Sequence, residues 1–172
     1  TDYDFSTLKY NASGVLQWSR IAGSTSLQYD IPSAITTDAS GNVIITGKSD
    51  INPDPLVTDN DMMTVMYNTS GTQLWMNTYA GTRINGGDIA YGVVSDNSNV
   101  YIVGGSDYTT TQKDATVIKY DNSGATVFVK HYNGTGDFSE SARSLVIDNN
   151  NHAYAGGYTY LEDHNRDIFL VA

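Results

Sequence analysis

Asp61-Met-Met-Thr-Val-Met-Tyr67, then Asn68-Thr-Ser-Gly71, then Trp75, is the stretch whose reading decides the fold. The same phrase stands upstream as Asp4-Phe-Ser-Thr-Leu-Lys-Tyr10, Asn11-Ala-Ser-Gly14 and Trp18. It stands downstream as Asp114-Ala-Thr-Val-Ile-Lys-Tyr120, Asp121-Asn-Ser-Gly124 and Phe128, and opens once more at Asp167-Ile-Phe-Leu-Val-Ala172. The turn glycine recurs after 57 residues (Gly14 to Gly71) and then after 53 (Gly71 to Gly124). Internal similarity at a period near or a little above ~40–50 residues marks a repeat architecture. The units run approximately over residues 4–60, 61–113 and 114–166, with a fourth starting at 167–172.

Each unit reads as four short antiparallel strands. In the second complete four-stranded set, which begins part-way through the second unit, residues 89–95 form a first strand of small and β-branched residues, and Asp96-Asn-Ser-Asn99 a turn. Residues 100–103 form a second strand ended by Gly104-Gly105, residues 114–120 a third, and residues 125–132 a fourth. Asn and Asp suit such turns because they bond their own backbone, and the glycine supplies a positive φ. The third strand does not alternate: Thr64, Val65 and Met66 run together, as do Val117 and Ile118. A near-continuous apolar run implies burial on both faces. Four-stranded sheets sandwiched between copies of themselves describe a β-propeller. A β-solenoid is the rival, but it repeats every ~20–29 residues.

The expected fold is therefore all-β, a segment of a β-propeller with four-stranded antiparallel blades. Two blades are complete and partial blades stand at both ends, giving sheets of two, four, four and three strands. Ala34, Gly92 and Ser144 fall in the middle of each first strand, where strands nearest the axis need small side chains. Trp18, Trp75 and Phe128 fall on the outermost strand, where they fill the gap between splayed blade rims; a sugar-stacking platform is their alternative role. Propellers close with about 4–8 blades, so the remainder is expected from the same longer chain or from a partner protein. The first residue is Thr1 rather than Met, which suggests a processed or trimmed segment.

Composition narrows the partners. Nineteen acidic against 9 basic residues give a net charge of −10, nearly all the acid being Asp. A nucleic-acid binder needs a basic face to displace phosphate counterions, and none is visible. An anionic membrane surface is disfavoured for the same reason. No apolar run reaches the ~18 residues of a membrane span, so direct membrane insertion is not expected. The absence of cysteine excludes a disulfide framework and thiolate metal sites.

The pattern Asp38-Ala-Ser-Gly-Asn-Val-Ile-Ile-Thr-Gly47, followed by the Asp-to-Trp phrase, resembles the bacterial seven-bladed β-propeller repeat known as SBBP. It loosens in the later copies to Asp96-Asn-Ser-Asn-Val-Tyr-Ile-Val-Gly104 and Asp148-Asn-Asn-Asn-His-Ala-Tyr-Ala-Gly156. The resemblance implies a propeller within a large secreted or surface protein of a bacterium, and it carries no catalytic residues to transfer. Sialidase-type Asp boxes place Trp three residues after Gly, whereas here it is four and the Asp is absent. The Gly-x-x-x-Trp spacing looks like the docking motif of quinone-dependent dehydrogenases, but Tyr10 and Tyr67 replace the Asp that motif requires.

Candidate sites divide by whether they repeat. Asp4, Asp61, Asp114 and Asp167 open the third strands and Asp38, Asp96 and Asp148 the first turns; recurrence in every unit assigns them to turn formation. Asp30, Asp88 and Glu140 precede the first strands and are the ligand-binding candidates, a ring at one channel mouth able to attract a cation or basic partner. Inter-blade hydrogen bonding is the competing reading for them. Specific binding belongs on the non-repeated loops, residues 48–60, 106–113 and 158–166. The first holds Asp50, Asp54, Asp59 and Asp61, oxygen-rich enough for Ca²⁺, with Asp54, Asp59 and Asp61 as candidate ligands. It lacks the Asp-x-Asp-x-Asp-Gly order of a calcium loop. The third holds Glu162-Asp-His-Asn-Arg-Asp167, an exposed charged loop. His131, His152 and His164 occupy different positions in their units and suggest no zinc site.

The functional expectation is a non-catalytic extracellular or cell-surface scaffold or binding module for a protein or glycan, needing no cofactor. The alternative is part of a propeller-fold glycan hydrolase or lyase with carboxylates at the channel mouth, since such enzymes need two carboxyls flanking one bond. No unrepeated pair stands out in the sequence.

Overall fold

A computed structural model describes residues 3–23, 29–52, 54, 57, 59–96, 98–160 and 166–171. Those residues form four antiparallel sheets in series, with no helix among them. The first sheet holds β1 (Phe5–Tyr10) and β2 (Leu16–Ala22). The second holds β3 (Asp30–Thr37), β4 (Val43–Asp50), β5 (Asn60–Tyr67) and β6 (Gln73–Tyr79). The third repeats that plan with β7 (Ile89–Ser95), β8 (Asn99–Asp107), β9 (Lys113–Asp121) and β10 (Thr126–Tyr132). The fourth has β11 (Glu140–Ile147), β12 (Ala153–Tyr160) and β13 (Arg166–Val171). Strands pair in chain order, so every tight turn falls at one end of the molecule and every longer connection at the other.

One expectation changes. Gly104 and Gly105 do not end their strand; β8 runs through them and pairs them with Thr116 and Ala115 on β9. Glycine is needed because the paired strand β7 comes close beside its bulge: a Cβ on Gly104 would overlap the Ile89 carbonyl. Each first strand also carries a register shift, between Pro32 and Ala34, Ala90 and Gly92, and Ala142 and Ser144. The residue inside each shift is an extra one, the mark of a β-bulge.

The sheets pack face to face. All eight residues of β5 are buried, because Met63, Val65 and Tyr67 meet the first sheet at Phe5 and Trp18. Met62 and Met66 on its other face join Ala90, Val93, Ile102 and Tyr120 of the third sheet. Tyr101, Val103 and Ala115 pack against Ala142, Leu145 and Ala155 of the fourth. The lack of alternation in the third strand thus reflects two buried faces. The first strands β3, β7 and β11 lie beside one another in sequence, and their mid-strand Ala34, Gly92 and Ser144 leave room for that approach.

The outer edges are locked by one repeated contact. Trp18 on β2 stacks on Tyr67 of the next sheet, centroids 6.0 Å apart, and its Nε1–H donates to the Thr69 carbonyl at 3.1 Å. Trp75 on β6 repeats this on Tyr120 at 5.7 Å, donating to the Asn122 carbonyl at 3.2 Å. Two residues on, Arg20 Nε donates to the Gly71 carbonyl at 2.5 Å, and Asn77 Nδ2 to that of Gly124 at 2.6 Å. Gly71 has φ 81° and a Cβ there would sit 2.8 Å from the Trp18 ring, so both backbone and space demand glycine. Phe128 on β10 has no such turn to meet among the described residues; it stays half-buried with Lys119 Nζ 6.0 Å from its ring.

Removing the Trp75 side chain (Trp75→Ala) is expected to cost about 3–5 kcal/mol in urea unfolding, the usual range for a buried indole. Gly71→Ala should destabilise more than Gly14→Ala, because both glycines have a positive φ but only Gly71 lies under an indole. Equal losses at the two glycines would contradict the docking contact.

Candidate functional site

The tight-turn end is occupied by its own chemistry. Asp38 Oδ1 accepts from the amides of Ser40 and Asn42 at 2.9 Å each. Asp96 Oδ1 accepts from Ser98 and Asn99 at 2.6 Å, and Asp148 Oδ1 from Asn150 and His152 at 2.8 and 2.9 Å. Asn11, Asn68 and Asp121 cap the other turns in the same way. Amide donation to the charged carboxylate, first from His152, holds Asp148 down at about 2.

At the loop end the remaining acids behave differently. Asp30, Asp88 and Glu140 are buried, 2%, 1% and 0% exposed, at the starts of their first strands. Asp88 takes the amides of Gly81 and Asp107, both at 2.7 Å, and so ties the β6–β7 connection to the end of β8. Glu140 Oε1 accepts from Thr159 Oγ1 at 2.9 Å. The third-strand acids do not form turns as expected. Asp61 and Asp114 are 5% and 6% exposed and face the first-strand acid of the following sheet. The backbone ties two such couples, Asp61 with Asp88 and Asp4 with Asp30: Asp88 N–H donates to the Asn60 carbonyl at 2.8 Å, and Asp30 N–H to that of Tyr3 at 2.6 Å. A methyl group on Gly23 would overlap the carboxylates of both Asp4 and Asp30. Burial first, then the negative charges of Asp88, Asp59 and Asp50, push Asp61 up to about 6. Burial likewise raises Asp88, Asp114 and Glu140.

Of the calcium candidates, Asp61 is buried on β5. Asp54 is exposed and Asp59 half-buried, and Asp59 donates its amide to Asp50 Oδ1 at 3.1 Å. Among the described residues no three His, Asp or Glu side chains converge to hold a metal ion. His131 hydrogen-bonds Tyr108 through Nδ1 at 2.6 Å, and His152 pairs with Asp148 at 3.0 Å. Glu162, Asp163 and His164 of the third variable loop lie outside the described residues.

What does gather at the loop end is a set of non-repeated side chains. Gln112, Phe138, Ser139 and Tyr160 line an open depression of about 380 Å³ between the third and fourth sheets. Ser139 Oγ donates to Gln112 Oε1 at 3.1 Å, tying the two connections that form its walls. Tyr160 meets Tyr158 edge to face at 5.7 Å. Beside them Arg143 lies over the Tyr91 ring at 3.6 Å and donates to Tyr158 Oη at 3.1 Å. Tyr91 and Arg143 are the bulge residues of β7 and β11; the corresponding residue of β3 is Ser33. Reading the repeat by its shared residues passed over this group. The available signal was one position inside the repeat that holds Ser, Tyr and Arg in turn.

In comparisons with known proteins, no family model matches the chain and no curated protein is similar to it.

The buried acids generate a pH prediction. Between the usual carboxyl value of 3.8 and about 6 the folded state keeps a proton on Asp61 that the unfolded chain has released. Stability therefore falls as pH rises through that window, on the order of 2 kcal/mol for this group. Asp61→Asn should flatten the fall and unfold at higher denaturant at pH 7 than the parent chain. A pH dependence unchanged by Asp61→Asn would contradict the assignment.

Proposed function

We propose that the chain is a segment of a β-propeller acting as a non-catalytic binding module or scaffold, within a larger secreted or surface protein of a bacterium. One observation carries this reading. Repeated side chains are consumed in sheet-to-sheet contacts and tight turns, while non-repeated aromatic, amide and guanidinium groups collect at the loop end. Binding residues concentrate on connections held by a rigid scaffold, and concave, largely aromatic sites with a few polar groups are the usual form of small-ligand sites. Face-to-face sheets with adjacent first strands and doubly buried third strands support the propeller assignment. The SBBP-like pattern from Asp38 to Gly47 supports the bacterial extracellular setting. Since rings of this kind use about 4–8 blades, the remaining blades come from the same longer chain or a partner. The ligand is a glycan or a protein segment presented to the loop end.

A propeller-fold glycan hydrolase or lyase is the weaker reading. Its acid pair would be Asp61 and Asp88, but that couple has a counterpart in Asp114 and Glu140, and all four are buried. A catalytic pair has no reason to recur at successive interfaces.

The test is capture of a glycan panel by the chain and by Phe138→Ala and Tyr160→Ala variants. Loss of capture by about fivefold or more in either variant, with the unfolding midpoint preserved, is expected from losing an aromatic contact. Unchanged capture, or hydrolysis of the panel that Asp61→Asn abolishes, would contradict the proposal.

A further inference from the structure

We infer that Arg143 makes the loop-end depression selective for a carboxylate-bearing saccharide, such as a uronic acid residue of a glycan. This rests on the binding-module reading and names its ligand class. The Arg143 guanidinium is a cation in a protein with net charge −10, carried on the bulge of β11 just before mid-strand Ser144, where the extra residue is re-aimed from the pleat. Tyr91 and Tyr158 bracket it, with its Cζ 3.6 and 5.2 Å from their ring centroids. Two rings and the hydrogen bond to Tyr158 Oη fix the plane of the fork, while the residue stays exposed to solvent. A fixed, exposed guanidinium is suited to two parallel hydrogen bonds with a carboxylate, which a lysine cannot reproduce.

Among the described residues the Arg143 charge is not cancelled by an ion pair. Asp107 is the acid felt at Tyr91. Its carboxylate is already held by Lys113 at 3.2 Å and by the Gly87 amide at 2.8 Å. Tyr158 then passes contact to Tyr160, which lines the depression with Phe138, Gln112 and Ser139. Aromatic faces suit the C–H faces of a sugar ring, and the amide and hydroxyl suit its hydroxyls. Arg143, joined to Tyr160 through the Tyr158 ring, supplies a charged contact to a saccharide that extends from that platform. A protein carboxylate reaching the same guanidinium would lack the hydroxyls that Gln112 and Ser139 are placed to meet.

The experiment is calorimetric titration of the chain with a glucuronic-acid-terminated oligosaccharide, its glucose-terminated neutral counterpart, and a peptide with a free C-terminal carboxylate. Arg143→Gln, Arg143→Lys and Tyr160→Ala are titrated in parallel, with folding checked by thermal unfolding. The acidic saccharide should bind about tenfold or more tightly than the neutral one, and Arg143→Gln should remove that preference by weakening the acidic saccharide far more than the neutral one. Arg143→Lys should recover only part of it, and Tyr160→Ala should weaken both saccharides. Equal binding of acidic and neutral saccharides, both lost in Tyr160→Ala, overturns the role of Arg143 and leaves the binding-module reading standing. Tighter binding of the peptide than of the acidic saccharide overturns the saccharide assignment. No binding by the folded parent chain overturns both.

Discussion

The structure depends on an indole from one sheet closing over the tight turn of the next. The second and third sheets each bury an apolar face on both sides, so neither is covered without its neighbours. Face-to-face packing buries the middle of each and leaves the space beside the edge strands β2 and β6 to be filled. Trp18 and Trp75 fill that space and donate their single N–H group to a turn carbonyl, so each aromatic side chain is both packed and satisfied. Arg20 and Asn77 then close over the glycine carbonyl of the same turn. Turn sequence, glycine conformation and neighbouring strand are thereby coupled, which is why Asn-x-Ser-Gly and the aromatic recur as one phrase.

The opposite end is held by acids under strain of charge. Asp61 with Asp88, and Asp114 with Glu140, bring carboxyl groups of successive sheets into a buried setting. Backbone amides and Thr159 partly offset that burial, but the groups still hold protons more tightly than free carboxyls do. Such an arrangement sacrifices some stability at neutral pH and positions the connections that carry the loop-end depression. Turn and interface chemistry use the residues that recur. The proposed binding chemistry uses those that do not.

Much of the framework was legible because it is local. The doubly buried third strand shows in the run Thr64-Val65-Met66, and each Asx turn shows in an Asp or Asn placed before a glycine or asparagine. The pairing of acids was not legible, since Asp61 and Asp88 belong to different sheets and only the stacking of sheets makes them neighbours. Arg143 was hidden for a related reason. A bulge is a property of two paired strands, and the sequence of β11 alone gives no sign that Arg143 is the extra residue opposite β12. Gly104 misled in the opposite sense: a residue typical of strand ends was required inside a strand by the close approach of its paired strand β7 beside the bulge.

The most direct test of this account is hydrogen exchange at the indole N–H groups, because the chain has only two tryptophans and therefore two such signals. If the sheets are joined as described, both indole protons exchange only when the core amides of β5 exchange, and with a similar opening free energy. An indole proton that exchanges at the rate of free tryptophan, while the β5 amides stay protected, would show that the sheets do not depend on this contact.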